Sequence, residues 1–319
     1  MGRIPTPPRP PAGGTRIVTL FRAAAAMAVL TLTVSCSAGT SPARSPSAIP
    51  PAAAAASPVT AEINQLRDDY SRQIIAIQLT NTTTGPLTVL TARLASPLYA
   101  GAVEWQAAPG GIELPPGQTK SLRAQLRSPE CGARTAEPGE EPAVELRLAG
   151  AEGPGNAATV RATDPYGVLS RNNAEMCLAQ AAAAVADIRL DPELEVAADA
   201  RSAVLGLAIT PRSTPGAVNP DSTGTLTINR VDGTTLLDED PGAPWPRSVS
   251  VQAGGPRQHF RLGIRPARCD PHAIADDKVG TLLPLRISAE GRDGLLKIDA
   301  GPVLRGRIYE FITSSCGRQ

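Results

Sequence analysis

The chain has 319 residues, 42% of them hydrophobic but only 3% aromatic, with 31 basic against 30 acidic side chains. That length suits about two domains, whose cores must be built from Val, Leu, Ile and Ala. The 32 Pro and 29 Gly exclude a helical bundle and suit many short strands joined by punctuated loops. Only Lys120, Lys278 and Lys297 are lysine, and no Lys/Arg cluster stands out, so the charge pattern argues against a nucleic-acid partner.

Arg16 and Arg22 ahead of the 12-residue apolar run Ala23 to Val34 have the form of a secretory signal, predicted over 1–35. The run is short of the about 20 apolar residues that cross a bilayer. It ends in Leu32-Thr33-Val34-Ser35-Cys36, which resembles the lipobox of bacterial secreted lipoproteins, where small residues precede a cysteine that is diacylated and becomes the new N-terminus. Val34 and Ser35 match; Thr33 stands where the family usually has Leu. The resemblance implies a lipid anchor on Cys36, a place on the outer face of the cell membrane, and an actinobacterial-type, GC-rich source. If the lipobox is not used, the protein is secreted. Cleavage there removes Arg3, Arg9, Arg16 and Arg22, leaving 27 basic against 30 acidic residues, a formal charge of −3. Residues 36–58 are almost wholly Ser, Ala, Pro, Gly and Thr and are predicted to be a disordered tether.

Beyond the tether the sequence repeats. Cys131 and Cys177 are 46 residues apart, Cys269 and Cys316 are 47 apart. Leu122-Arg123 and Leu126-Arg127 precede Cys131 at the same distances as Phe260-Arg261 and Ile264-Arg265 precede Cys269, and Gly117 and Gly255 each lie fourteen places ahead. Leu146-Arg147-Leu148 corresponds to Leu285-Arg286-Ile287, and Glu152-Gly153 to Glu290-Gly291. This predicts an internal duplication, with copies over 59–180 and 181–319.

In chain order, alternation of Ile75, Ile77 and Leu79 predicts a half-buried strand over 73–79, followed by strands over 87–94, 122–126, 144–148 and 158–162. Ala179 to Asp187 reads as a linker or helical turn. The second copy shows strands over 204–209 and 225–231. Asp232-Gly233 then reads as a tight hairpin turn into a strand over 234–237. Further strands are predicted over 260–264, 283–287, 295–298 and 307–312. Short strands in units of this size predict an all-β fold of two tandem sandwiches, similar to bacterial immunoglobulin-like or fibronectin-type modules. Trp105 and Trp245 precede both cysteines of their pair, so the core differs from that of a true immunoglobulin domain. In an oxidising compartment the repeated spacing favours the pairs Cys131–Cys177 and Cys269–Cys316.

Chemistry-bearing motifs are sparse. Cys269-Asp270-Pro271-His272 with Asp276 and Asp277 is the one stretch with metal-ligand character, and a paired Cys269 would weaken it. No Gly-x-Ser-x-Gly, P-loop or Gly-x-Gly-x-x-Gly occurs, so we expect neither catalytic residues nor a cofactor. Arg123 and Arg127, and likewise Arg261 and Arg265, would share a strand face and form a small positive stripe suited to an anionic envelope polymer or, more simply, to solvent. The resulting expectation is a non-catalytic module that binds or scaffolds a protein or envelope partner. The alternatives are a metal- or ligand-delivering lipoprotein using the 269–277 loop, and an envelope hydrolase with an unrecognised carboxylate site.

Overall fold

The first copy begins with β1 (Val59–Asn64), one 3₁₀ turn (Arg67–Asp69), β2 (Ile74–Asn81) and β3 (Leu87–Ala95). It continues with β4 (Val103–Gln106), β5 (Ile112–Leu114), β6 (Thr119–Gln125), β7 (Ala143–Leu148), β8 (Asn156–Thr163) and α1 (Val168–Val185). The second contains β9 (Ala186–Val196), β10 (Ala203–Pro211), β11 (Thr225–Val231), β12 (Leu237–Glu239), β13 (Arg247–Gln252) and β14 (Gln258–Pro266). The short α2 (Pro271–Ala275), β15 (Leu282–Ala289), β16 (Arg292–Asp299) and α3 (Gly301–Cys316) complete it. This computed structural model describes residues 57–132, 142–149, 156–213 and 224–317. The predicted leader, Cys36, the tether up to Ala56 and Glu152-Gly153 lie outside them. All described residues belong to one compact unit, Ala55–Gln319.

The fold is all-β, and one pattern of strand pairing occurs twice in it. The strand order β1–β2–β6 of the first copy recurs as β9–β10–β14, and β3–β7–β8 recurs as β11–β15–β16. In the first copy a parallel pairing of β1 with β8 joins the two halves into one sheet, β4-β3-β7-β8-β1-β2-β6, with β5 also on β3. The second copy keeps two four-stranded sheets, β12-β14-β10-β9 and β13-β11-β15-β16. Each copy encloses an aliphatic core. Ile75, Ile77 and Leu79 of β2 are completely buried, as are Leu205, Leu207 and Ile209 of β10, which follows from period-2 alternation on a strand with one face inward. Burying each such side chain contributes about 1.5–3 kcal/mol. Glu290 and Gly291 both take left-handed backbone, φ +50° and +71°, and close β15 onto β16 with Ala289 opposite Arg292. Positive φ at both central residues is what a two-residue hairpin turn of matching twist requires.

Three sequence expectations are corrected. Residues 307–312 form no strand but part of α3. Leu304, Ile308, Phe311, Ile312 and Ser315 are its buried residues, a spacing of three and four that puts one helical face on the core. The β-branched and aromatic residues Ile308, Tyr309, Phe311 and Ile312 favour a strand locally, but the helical spacing of the buried ones prevails. Asp232-Gly233 is not a hairpin turn, because β11 pairs with β13 and β15 while β12 belongs to the other sheet and pairs with β14. The chain crosses between sheets there, and the Asp232 carboxylate receives Arg230 and Arg286 at 2.6 and 2.7 Å. The segment 179–187 is the second half of α1 running directly into β9, with Ala186 as its C-cap.

Both disulfides form as paired by spacing: Cys131–Cys177 with Cα atoms 5.4 Å apart, and Cys269–Cys316 at 5.2 Å. Each joins the loop after the third strand of its set to a helix, α1 or α3, rather than to a C-terminal strand as the strand reading implied. The bonds accord with an extracytoplasmic compartment, and no described helix is long and apolar enough to cross a membrane.

Helix α1 also couples the copies. Val168, Leu169 and Met176 enter the first core, whereas Leu178, Ala181, Ala182 and Val185 enter the second. Its start is fixed by Asp164, whose two oxygens accept the amides of Val168 and Leu169 at 2.7 and 2.9 Å, carboxylate caps at the positive end of the helix. Gly294 on β16 lets the helix approach, since a Cβ there would stand 2.9 Å from Leu178 Cδ2. Among the described residues, polar side-chain links across the joint run from Lys297 Nζ to both Glu175 oxygens at 2.8 Å and from Arg292 Nη2 to the Cys131 carbonyl at 2.6 Å.

Candidate functional site

Tyr70 caps the 3₁₀ turn and stands at the joint between the copies. The turn is anchored by Asp69, a fully buried carboxylate that pairs with Arg72 at 3.0 Å and with Arg123 of β6. From the first copy, the Arg171 guanidinium lies 5.7 Å from the Tyr70 ring centroid; from the second, Lys297 Nζ lies 5.5 Å away. Both are within cation–π range.

Three recesses share Tyr70. Toward the first copy is a cleft of about 320 Å³ lined by Asn64, Gln65, Tyr70, Tyr166, Val168 and Arg171. A gap of about 100 Å³ follows between α1 and β16, with Asn172, Glu175 and Lys297 among its walls. Toward the second copy a recess of about 190 Å³ has a mainly apolar wall that includes Val279, Leu282, Pro284 and Leu295. Together they make a groove that changes from polar to apolar along its length.

The polar end rests on a buried amide pair. Gln65 Nε2 donates to Asn172 Oδ1 at 3.2 Å and to the Ile74 carbonyl at 3.2 Å, while Asn172 Nδ2 donates back to Gln65 Oε1 at 3.0 Å. Gln65 and Asn172 are only 8% and 4% exposed, and burial of two amides is tolerable because each is satisfied by the other. Gln65 Oε1 also accepts Arg171 Nη2 at 2.9 Å, which fixes the guanidinium at the cleft wall. Among the described residues no carboxylate pairs with Arg171.

Larger concavities offer less. One of about 640 Å³ includes Tyr99 and Asp164 in its wall, but the Tyr99 hydroxyl donates to the Leu169 carbonyl at 2.8 Å and Asp164 caps α1. Burial, with the Asp164 charge, pushes the Tyr99 phenol far above its ordinary pKa. Another, of about 520 Å³, is an open face bearing Thr60, Thr80 and Thr119, with Thr80 and Thr119 hydrogen-bonded at 2.7 Å.

The arginines singled out by sequence are each engaged within the protein. Arg123 holds Asp69, and Arg127 Nε donates to the Ala102 carbonyl at 3.2 Å. Arg261 makes a two-point pair with Glu195 at 2.8 and 2.7 Å; that hydrogen bond and charge lower the carboxyl's pKa and raise the guanidinium's. Arg265 pairs with Asp238 at 2.9 Å. Arg261 and Arg265 do share the outer face of β14, together with His259, which meets Asp191 at 2.6 Å. The face is therefore a row of paired charges rather than a positive stripe.

The 269–277 loop is likewise occupied by structural contacts. Asp270 caps α2 by accepting the His272 amide at 3.0 Å; His272 is exposed, and Asp276 is the C-cap. Asp277 accepts from Thr235, from the Gly280 amide at 2.8 Å and from the Tyr309 hydroxyl at 3.0 Å. Among the described residues no group of three His, Cys, Asp or Glu side chains could hold a metal ion. Burial, then the charge and hydrogen bond of Asp277, push Tyr309 up to about 12 from 10.0. The folded state therefore holds a proton that the unfolded state releases. This contribution to stability is complete below pH 10 and is lost as pH rises toward 12. A spectrophotometric phenol titration should show two late-ionising tyrosines, Tyr309 ahead of Tyr99, and Tyr309→Phe should remove the earlier of the two.

Tyr70, Tyr166, Arg171 and Lys297 did not emerge from the sequence, since they are dispersed along the chain and converge only where α1 joins the copies. The one available signal was scarcity, with two of only four tyrosines in the chain lining one cleft.

No protein family matches the chain, and no curated protein matches it. Among solved structures, it is similar to the exo-chitosanase CsxA of Amycolatopsis orientalis, at 13% identity and a TM-score of 0.19, over 76% of this chain and 26% of that one. It is also similar to red sea bream transglutaminase, at 9% identity and a TM-score of 0.18, over 76% and 31%. For the BSP domain of a biofilm-associated protein the identity is 7% and the TM-score 0.17, over 76% and 56%. The chain thus spans about a quarter to just over half of these proteins, and at such TM-scores the likeness carries no inference about it.

Proposed function

We propose that this protein is a bacterial, actinobacterial-type lipoprotein, anchored through Cys36 on the outer face of the cell membrane, and that it works as a non-catalytic binding or scaffolding module. The tether ahead of β1 would hold the paired sandwiches clear of the membrane. The observation that carries this reading is the groove around Tyr70. It combines an exposed tyrosine, a positioned arginine and an apolar recess across a joint made rigid by a shared helix, a composition typical of binding hot spots. The alternative of metal delivery draws little support from the 269–277 loop, whose Asp270 and Asp277 carboxylates already serve α2 and Tyr309.

A photoreactive residue introduced at Tyr166 in the membrane-bound protein tests the reading. The matched control is Gln118, exposed at the Asn81 end of the same sheet. Adducts from position 166 and none from 118 are expected; equal labelling, or none from 166, contradicts the groove as the binding site.

A further inference from the structure

The chemistry of the groove's polar end specifies a ligand class, an inference that rests on the binding reading above. Its cleft of about 320 Å³ is at the small end of ligand sites, about 300–1,000 Å³. No Asp or Glu lines it, and its one cation, Arg171, is held in place by the buried Gln65–Asn172 pair. Among the described residues the guanidinium meets no carboxylate, and since Nη2 gives only one of its two hydrogens to Gln65, one of the two N–H forks that share Nη2 stays open to a carboxylate. Across the cleft stands Tyr166, 66% exposed, whose ring presents an apolar face and a hydroxyl edge. Asn64 and Tyr70 add polar edges.

We propose that this cleft binds an acidic saccharide, with a sugar carboxylate on Arg171 and a sugar ring against Tyr166. A peptide is the weaker fit. The strand that reaches the cleft wall, β1 through Asn64, is already paired on both flanks, by β2 and β8, so it offers no open edge for strand addition. The walls of this end are polar, whereas peptide anchors need an apolar pocket, and that lies at the other end of the groove.

The test is calorimetric titration of the purified full chain with a short oligouronate and with the same oligomer after methyl esterification, for the wild type, Tyr166→Ala and Arg171→Gln. Tyr166 is exposed, so its variant folds independently of any effect on Arg171. Binding of the acid form is expected, weakened at least about tenfold by esterification or by either substitution. Equal binding of the ester, or equal binding by both variants, overturns the proposal. No binding by the wild type, with a protein adduct from the Tyr166 photoprobe, overturns the saccharide and leaves the binding site standing. No binding and no adduct removes both.

Discussion

Replacing Cys269 and Cys316 together by serine is expected to lower the unfolding free energy by about 2–5 kcal/mol. The bond closes a segment of 47 residues, for which loop entropy alone gives roughly 4 kcal/mol. Cys316 is the last residue of α3, and α3 reaches the core through Leu304, Ile308, Phe311 and Ile312. Those contacts keep the helix in place when the bond is removed, so the variant folds but melts lower, by roughly 2–4 °C per kcal/mol for a body of this size. Scanning calorimetry of both forms measures the difference. A change below about 1 kcal/mol would mean that α3 packing alone fixes the loop after β14.

Leu178→Ala is expected to destabilise both copies together, by about 2–5 kcal/mol. Leu178 is 3% exposed and belongs to the second core, yet it stands one residue from Cys177, which is bonded into the first copy. A helix shared by two cores makes them unfold as one unit. Peptide-resolved hydrogen exchange should therefore show β2 and β10 losing protection to the same extent in the variant. Loss confined to β10 would show the two copies opening separately.

The sheet was legible where physics is local. Period-2 alternation marked β2 and β10, and repeated cysteine spacing gave both staples, because the duplication repeats the loop-to-helix distance. The helices were not. In α1 the apolar residues lie all round, since its first half faces one core and its second half the other, so no single stripe marks it. In α3 Ile308, Tyr309, Phe311 and Ile312 imitate a strand over the six residues 307–312. The candidate site was the least legible. Arg123 stood out in the repeat, but its partner Asp69 and the tyrosine it positions depend on β6 lying beside the 3₁₀ turn. Arg171 takes its meaning from Gln65, 106 residues earlier.

Intact mass of the membrane-extracted protein, before and after reduction, tests the lipid tether and both staples at once. The expected species begins at a diacylglycerol-modified Cys36 and takes up four hydrogens when its two disulfides are reduced. An unacylated chain that starts elsewhere would contradict the proposed lipid anchor and make this a secreted protein.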